Sequence, residues 1–238
     1  MKIKNLNSID YFKEHGYLKI ENFLDKNFAF YLYQYCVLAT KRLLYLESTG
    51  LNFDKGTYGR FDDEQAIGDY SKYGDLTFDN LMNLSASSIE NITGLKLIPT
   101  YSYHRLYTTG TELKKHKDRL CCEISVSLCL GYDVSNVDEK KYPDWDWPMF
   151  VKDKKNNIIP IHLKPGDLII YKGVELEHWR EPFLGINHAQ TFLHFKEKDD
   201  NFSELVYDTR PALGLPDYTK NESLVIKKHK EYMEKIKK

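Results

Sequence analysis

The stretch YSYHRLYTTGTELKKHKDRLCC, residues 101–122, decides how the rest of this 238-residue chain is read. Tyr101, Tyr103, Arg105 and Tyr107 recur with period two, the spacing that places side chains on one face of a strand. Thr108, Thr109 and Gly110 break that alternation, and the chain turns into His116-Lys117-Asp118. Side chains at i and i+2 of an extended segment point the same way, so an imidazole and a carboxylate can share one ion. His178, sixty residues further on in LEHWREPF, supplies a third donor from a distant strand. Two histidines and one carboxylate on one face of a metal suit non-haem Fe(II) that keeps positions open for other ligands. Zinc activating a water could use the same three side chains, and ligand type alone does not separate the two metals. The bland alternative is a surface His-Asp pair with a satisfied core histidine at 178.

Outward from this stretch, the chain divides by texture. Residues 8–15 predict a short capped helix ending at Gly16, and residues 16–22 alternate as a strand. From 25 to about 48 the spacing predicts a long amphipathic helix, with Phe28, Leu32, Tyr35, Cys36, Ala39, Leu43 and Leu46 as its buried stripe. Residues 51–75 are rich in Gly, Asp and Tyr and lack periodicity, which fits either a lid over a site or a solvated excursion. Helical spacing resumes over 76–92.

After Lys96 the pattern becomes short strands: 97–107, 123–132, 148–152, 158–163, 167–171, 176–180 and 188–195. Strands at this density, with turn residues between them, predict a sandwich or barrel. Lys164-Pro165-Gly166-Asp167 is a turn, because Pro presets one dihedral and Gly supplies a positive φ. Residues 133–147 read as an insertion beside the mouth of a site, and 224–238 as a lysine-rich helix with a solvated face.

Composition bounds the answer without naming it. A formal net charge of −1 gives no pull toward nucleic acid or an anionic membrane, and neither partner is expected. Hydrophobic content of 42% argues for one ordered domain spanning 1–238. Four cysteines without CxxC spacing fit reduced thiols, and residues 1–12 lack the apolar run of a signal peptide, so a cytoplasmic location is expected.

Tyr107-Thr-Thr-Gly110, His116-Lys-Asp118, Pro165-Gly-Asp167 and His178 together resemble the Fe(II)/2-oxoglutarate-dependent dioxygenases. The likeness is to the jelly-roll hydroxylases related to prolyl 4-hydroxylases and phytanoyl-CoA hydroxylases. It covers roughly 97–195, with 16–46 as a helical buttress. The resemblance implies an α+β, mainly β fold: a double-stranded β-helix core at 96–196, a buttress and leading strand at 1–95, and an extension at 197–238. It implies His116, Asp118 and His178 as iron ligands, with 2-oxoglutarate and O2 as cosubstrates. Hydroxylation of a small-molecule or peptide substrate would release succinate and CO2. Tyr107 would line the cosubstrate pocket, with Tyr132 a second aromatic there.

One departure stands out. The family places an Arg or Lys about ten residues after the distal histidine, to pair with the far carboxylate of 2-oxoglutarate. Here that position is His188, and no Arg or Lys occurs between Glu181 and Phe195. Arg180 is the first replacement, since it shares strand parity with His178; Arg105 is second and a protonated His188 third. Gln190 shares parity with His188 and would line the same pocket. Arg180 could instead pair with Glu177 or Glu181, and Arg119 with Glu123. The missing cation keeps two other readings open, a divalent-metal (zinc) hydrolase on a jelly roll and a non-catalytic binding module.

Overall fold

Ten strands and five α-helices follow from these patterns in the computed structural model, which describes residues 7–143 and 145–235. The N-terminal part runs α1 (Ser8–His15), β1 (Tyr17–Ile20), α2 (Lys26–Thr49), α3 (Lys55–Tyr58), β2 (Tyr70–Tyr73) and α4 (Leu76–Thr93). Then come β3 (Leu97–Thr108), β4 (Leu113–His116), β5 (Ile124–Asp133), β6 (Met149–Lys152), β7 (Ile158–Ile161), β8 (Leu168–Tyr171), β9 (His178–Arg180) and β10 (Asn187–Glu197). Helical turns at Asp200–Thr209 and Asp217–Thr219 lead into α5 (Glu222–Lys235). Residues 1–6, half of the segment behind the signal-peptide expectation, and the last three residues of the expected C-terminal helix lie outside the described residues. Among the described residues no helix is long and apolar enough to cross a membrane.

All strand pairings are antiparallel and form two sheets. The larger runs β1-β8-β5-β10-β3-β2 and the smaller β4-β9-β6-β7. One face of the larger sheet packs against the helices: Val126, Leu128, Leu168, Ile170 and Leu193 meet Leu32, Cys36, Leu43, Phe78 and Met82. The opposite parity turns Tyr101, Tyr103, Arg105, Phe192 and His194 toward a cavity. Period two thus sorts these strands into a dry face and a chemical face.

The expected turn forms, with Gly166 at φ 93° and the Asp167 carboxylate accepting from the backbone N–H of Lys164 and Asn22. Four expectations need correction. Phe28 is 45% exposed; the buried stripe of α2 enters through Ala29 and Tyr33, whose positions face the sheet one step round the helix. Residues 51–75 are not wholly irregular, since they contain α3 and β2. Arg119 and Glu123 do not pair: Arg119 donates twice to Asp208, at 2.8 and 2.6 Å, while Glu123 takes Lys196 at 2.6 Å. Nor is α5 merely a solvated face, because Val225 and Tyr232 are buried against the Leu120–Cys122 turn.

On the dry face sits His104, fully buried among the rings of Tyr35, Tyr70 and Phe78, with neither ring nitrogen hydrogen-bonded. Burial strips the imidazolium of water and pushes its pKa down to about 4, against a smaller pull from Asp75. The unfolded chain takes a proton near pH 6.5 that the folded state refuses, so stability falls as pH drops from 6.5 toward 4. The expected loss is roughly 1 kcal/mol per pH unit, about 3 kcal/mol over the window. Urea unfolding of His104→Phe should show a flatter pH dependence there than the parent; an unchanged slope assigns the acid sensitivity to other groups.

Candidate functional site

Two strand ends of the smaller sheet bring the histidines together. β4 pairs with β9 so that His116 lies opposite His178, with ring centroids 4.2 Å apart, and Leu113 lies opposite Arg180. Each ring is fixed by its own backbone: His116 Nδ1–H donates to Lys114 O at 2.8 Å and His178 Nδ1–H to Leu176 O at 3.0 Å. A carbonyl only accepts, so each Nδ1 carries a proton and each Nε2 is the ring atom left to meet the site. They converge on Asp118 Oδ1, at 3.6 Å from His116 and 3.5 Å from His178. Asp118 follows the strand, and its N–H donates to Gly173 O at 2.9 Å while Oδ2 accepts from Ser125 Oγ at 2.9 Å.

The ligand atoms of His116, Asp118 and His178 all lie within 4.8 Å of one another. Burial alone would raise the Asp118 pKa, but the His178 imidazole beside it wins and holds the carboxyl well below its usual range. Burial and His178 together push His116 down. Asp118 in turn outweighs burial at His178 and raises it, so a divalent cation taking this carboxylate and the two imidazoles would displace a proton from His178 as it binds. A second group, Asp118, Cys122 and His194, also lies within this reach. Burial pushes the Cys122 thiol up, however, and its Sγ is 3.0 Å from the Tyr101 hydroxyl, so it stays a thiol.

A cavity of about 620 Å³ opens beside these ligands, and Arg180 lies on its wall. Arg180 is 2% exposed; Nη1 donates to Trp147 O at 2.7 Å, and its guanidinium carbon stands 4.6 Å from the centre of the Trp147 ring. Its Nε and Nη2 are buried with no partner. The pairing with Glu177 or Glu181 does not form among the described residues. Burial pushes the guanidinium pKa down, as expected for a cation without a counter-charge. Nε and Nη2 form one edge of the fork, the edge a carboxylate takes with two parallel bonds.

The other candidates are placed differently. Arg105 is on the wall but already carries a counter-ion, donating from Nη2 to Asp63 Oδ1 at 2.8 Å and from Nη1 to the Tyr107 hydroxyl at 3.4 Å. Tyr107 is fully buried behind Arg105, edge-on to Trp147, and is not part of the wall. Tyr171 lines the cavity instead, edge-on to His178 at 4.8 Å. His188 and Gln190 lie off the wall and bond each other at 2.9 Å; burial and nearby Arg180 push His188 down to about 3, so it offers no cation. Tyr132 stacks on the outer side of His188, 39% exposed. Among the described residues the segment 133–147 lines a separate groove, through Val134, Tyr142 and Trp145, rather than this cavity.

The loop 59–69 does cover the cavity, through Arg60 and Asp62 to Gln65. Asp63 ties it down, accepting from Arg105, from the Tyr103 hydroxyl and from Gln65 N–H at 2.9 Å. Losing the charge-assisted share of these bonds costs roughly 1–3 kcal/mol, a ~5- to 150-fold shift in loop opening. Limited proteolysis of Asp63→Asn should cut within 59–69 faster by that factor; a parental rate would mean that other contacts hold the loop. Asp63, Ser125 and Tyr171 carry no local signal in the sequence, Ser125 and Tyr171 joining the site through strand register and Asp63 through its loop, whereas His194 shares the strand parity of Gln190 on β10.

No protein-family model matches the chain, and no curated protein does. Solved structures do. A prolyl-4-hydroxylase from Pseudomonas putida superposes with a TM-score of 0.56 at 15% identity, over 81% of this chain and 98% of that one. The non-haem α-ketoglutarate-dependent carbocyclase SnoK of nogalamycin biosynthesis gives 0.56 at 13%, over 90% and 94%. EctD from S. alaskensis, with 2-oxoglutarate and 5-hydroxyectoine, gives 0.55 at 14%, over 82% and 79%. At such identities the likeness is one of chain path, and this protein carries the fold shared by the non-haem α-ketoglutarate-dependent enzymes.

Proposed function

We propose that the protein is an Fe(II)- and 2-oxoglutarate-dependent oxygenase that oxidises a second substrate with O2. Strand order supports a double-stranded β-helix as its core. Counted from β3, the larger sheet holds the first, eighth, third and sixth strands and the smaller the second, seventh, fourth and fifth, the alternation of a jelly roll. On this reading residues 96–196 are that core, 1–95 its buttress, and 197–238 an extension, of which Phe202, Leu205, Val225 and Tyr232 pack with the Leu120–Cys122 turn behind Asp118.

One observation carries the proposal: Arg180, whose Nε and Nη2 are buried with no partner, stands on the wall of the same cavity as the His116–Asp118–His178 group. A zinc hydrolase has no use for that edge, whereas a keto acid with a distal carboxylate uses both ends. Iron held by the three side chains would supply one-electron chemistry toward O2, with the keto acid as the source of two further electrons. The chain does the rest. Arg180 would take the distal carboxylate by Nε and Nη2, its orientation set by the Trp147 carbonyl and ring. Tyr171 walls the space between Arg180 and His178. Loop 59–69, latched by Asp63, limits entry of water above it. The remaining volume, toward Tyr101, Tyr103, Phe192 and His194, would hold the second substrate.

The test is spectroscopic. Anaerobic addition of Fe(II) and then 2-oxoglutarate should produce a visible charge-transfer absorption, and admitting O2 should release succinate. Iron uptake with no new absorption on adding 2-oxoglutarate would overturn the oxygenase reading.

A further inference from the structure

We infer that His194 and Ser125 form a hydrogen-bonded relay from the cavity wall to Asp118, and that both are positioning residues for the metal-binding carboxylate. The inference rests on the metal reading of His116, Asp118 and His178, and not on 2-oxoglutarate.

Ser125 Oγ has three polar neighbours: Asp118 Oδ2 at 2.9 Å, Cys122 O at 3.0 Å and His194 Nδ1 at 3.0 Å. A hydroxyl has one proton, and the carboxylate and the carbonyl can only accept. The serine proton therefore goes to one of these oxygens, the ionised carboxylate being the stronger acceptor. His194 must then carry its proton on Nδ1 and donate to Ser125 Oγ. Its Nε2 is left with a lone pair, on a ring that forms part of the cavity wall.

Two further features hold this chain of bonds in place. The Tyr101 ring lies 4.6 Å from the His194 ring, and Arg119 stands 4.6 Å from the centre of the Tyr101 ring, so the imidazole is clamped. Gly173 makes room for the meeting of Asp118 and Ser125. A Cβ at that position would fall 2.3 Å from Asp118 Oδ2 and 2.9 Å from Ser125 Oγ, so only glycine fits there without moving the carboxylate. Register explains how such distant residues meet: Ser125 on β5 lies opposite both Tyr171 on β8 and His194 on β10.

The consequence concerns which oxygen the ion receives. Oδ2 is engaged by Ser125, while Oδ1 faces both imidazole Nε2 atoms. The relay thus presents Asp118 through one oxygen and keeps the other occupied. Outer partners of ligating groups commonly change metal affinity 10- to 100-fold.

Co(II) titration of the full-length protein, followed by the ligand-field absorption of the bound ion, tests this without substrate or turnover. Ser125→Ala should weaken Co(II) binding about 10- to 100-fold and alter the absorption envelope. His194→Phe, which keeps a ring against Tyr101, should weaken it about 3- to 10-fold through the same path. The double variant should be no weaker than Ser125→Ala, because effects routed through one bond do not add. His194→Asn, whose amide N–H can replace Nδ1–H, should recover most of the affinity. If His194→Phe does not fold, His194→Gln serves, since its amide falls nearer the Nε2 position and should not rescue. Parental Co(II) affinity in Ser125→Ala or in His194→Phe, or additive losses in the double variant, overturns the relay. Failure of the unmodified protein to bind Co(II) overturns the metal reading itself, and is seen before any variant is made.

Discussion

Asp118→Ala is expected to abolish metal binding while leaving a folded protein. Asp118 is the single anionic donor in the group, and only two imidazoles remain without it. Removing the charged partner from a desolvated pair typically costs about 2–5 kcal/mol or more, so affinity for Fe(II) or Co(II) should fall ~30- to 5,000-fold or further. The fold should persist, because the bond from residue 118 to Gly173 O is made by backbone, and the lost Ser125 contact sits beside a second acceptor, Cys122 O. Stability gives a second readout. A ligand at 100 times its Kd stabilises the folded state by about 3 kcal/mol, so the parent should show a metal-dependent rise in Tm that the variant lacks. Iron content after reconstitution and melting with and without Co(II) check both. A variant that still binds one equivalent tightly would place the ion elsewhere, with Cys122 and His194 the nearest alternative donors.

Much of this site could be read from the sequence because its backbone logic is local. Period two over Tyr101–Tyr107, a break at Gly110 and an i, i+2 pair are properties of one strand and one turn, and they survive folding unchanged. The same parity turned Arg180 inward with His178. What stayed hidden depends on register between strands far apart in the chain. Nothing near Ser125 announces His194, sixty-nine residues away, and nothing near Arg119 announces Asp208. β4 escaped notice because Lys114 and Lys115 are exposed on an edge strand, which erases alternation. Phe28 misled because a large apolar residue at a helix start reads as core, whereas the small Ala29 lets α2 approach the sheet. His188 misled through its spacing alone: the position family resemblance assigns to a cation is too deeply buried to stay charged. On the oxygenase reading the cation comes instead from Arg180, on β9 of the smaller sheet.

That displacement makes Arg180→Leu the most discriminating substitution, because it should move affinity and stability in opposite directions. With Arg180 gone, a carboxylate entering the cavity loses a bidentate partner in a water-poor site, at a cost of about 3–4 kcal/mol, or ~10²- to 10³-fold in Kd for 2-oxoglutarate. Iron binding should be unaffected, since Arg180 touches none of its ligands. The ligand-free protein should at the same time become more stable. Arg180 is a buried cation with no counter-charge, and replacing such a group by an apolar side chain of similar reach removes a desolvation penalty. The single bond to Trp147 O is lost in exchange, at about 1 kcal/mol, so the net gain expected is roughly 1 kcal/mol. Arg105→Leu provides the contrast. Arg105 has its counter-ion in Asp63, so its removal strands a half-buried carboxylate and should destabilise the protein and free the loop. Equilibrium unfolding beside calorimetric titration with 2-oxoglutarate in the presence of Fe(II) separates the two. If Arg105→Leu loses the cosubstrate and Arg180→Leu keeps it, the anchor lies on β3 and the unpaired edge of Arg180 serves another ligand.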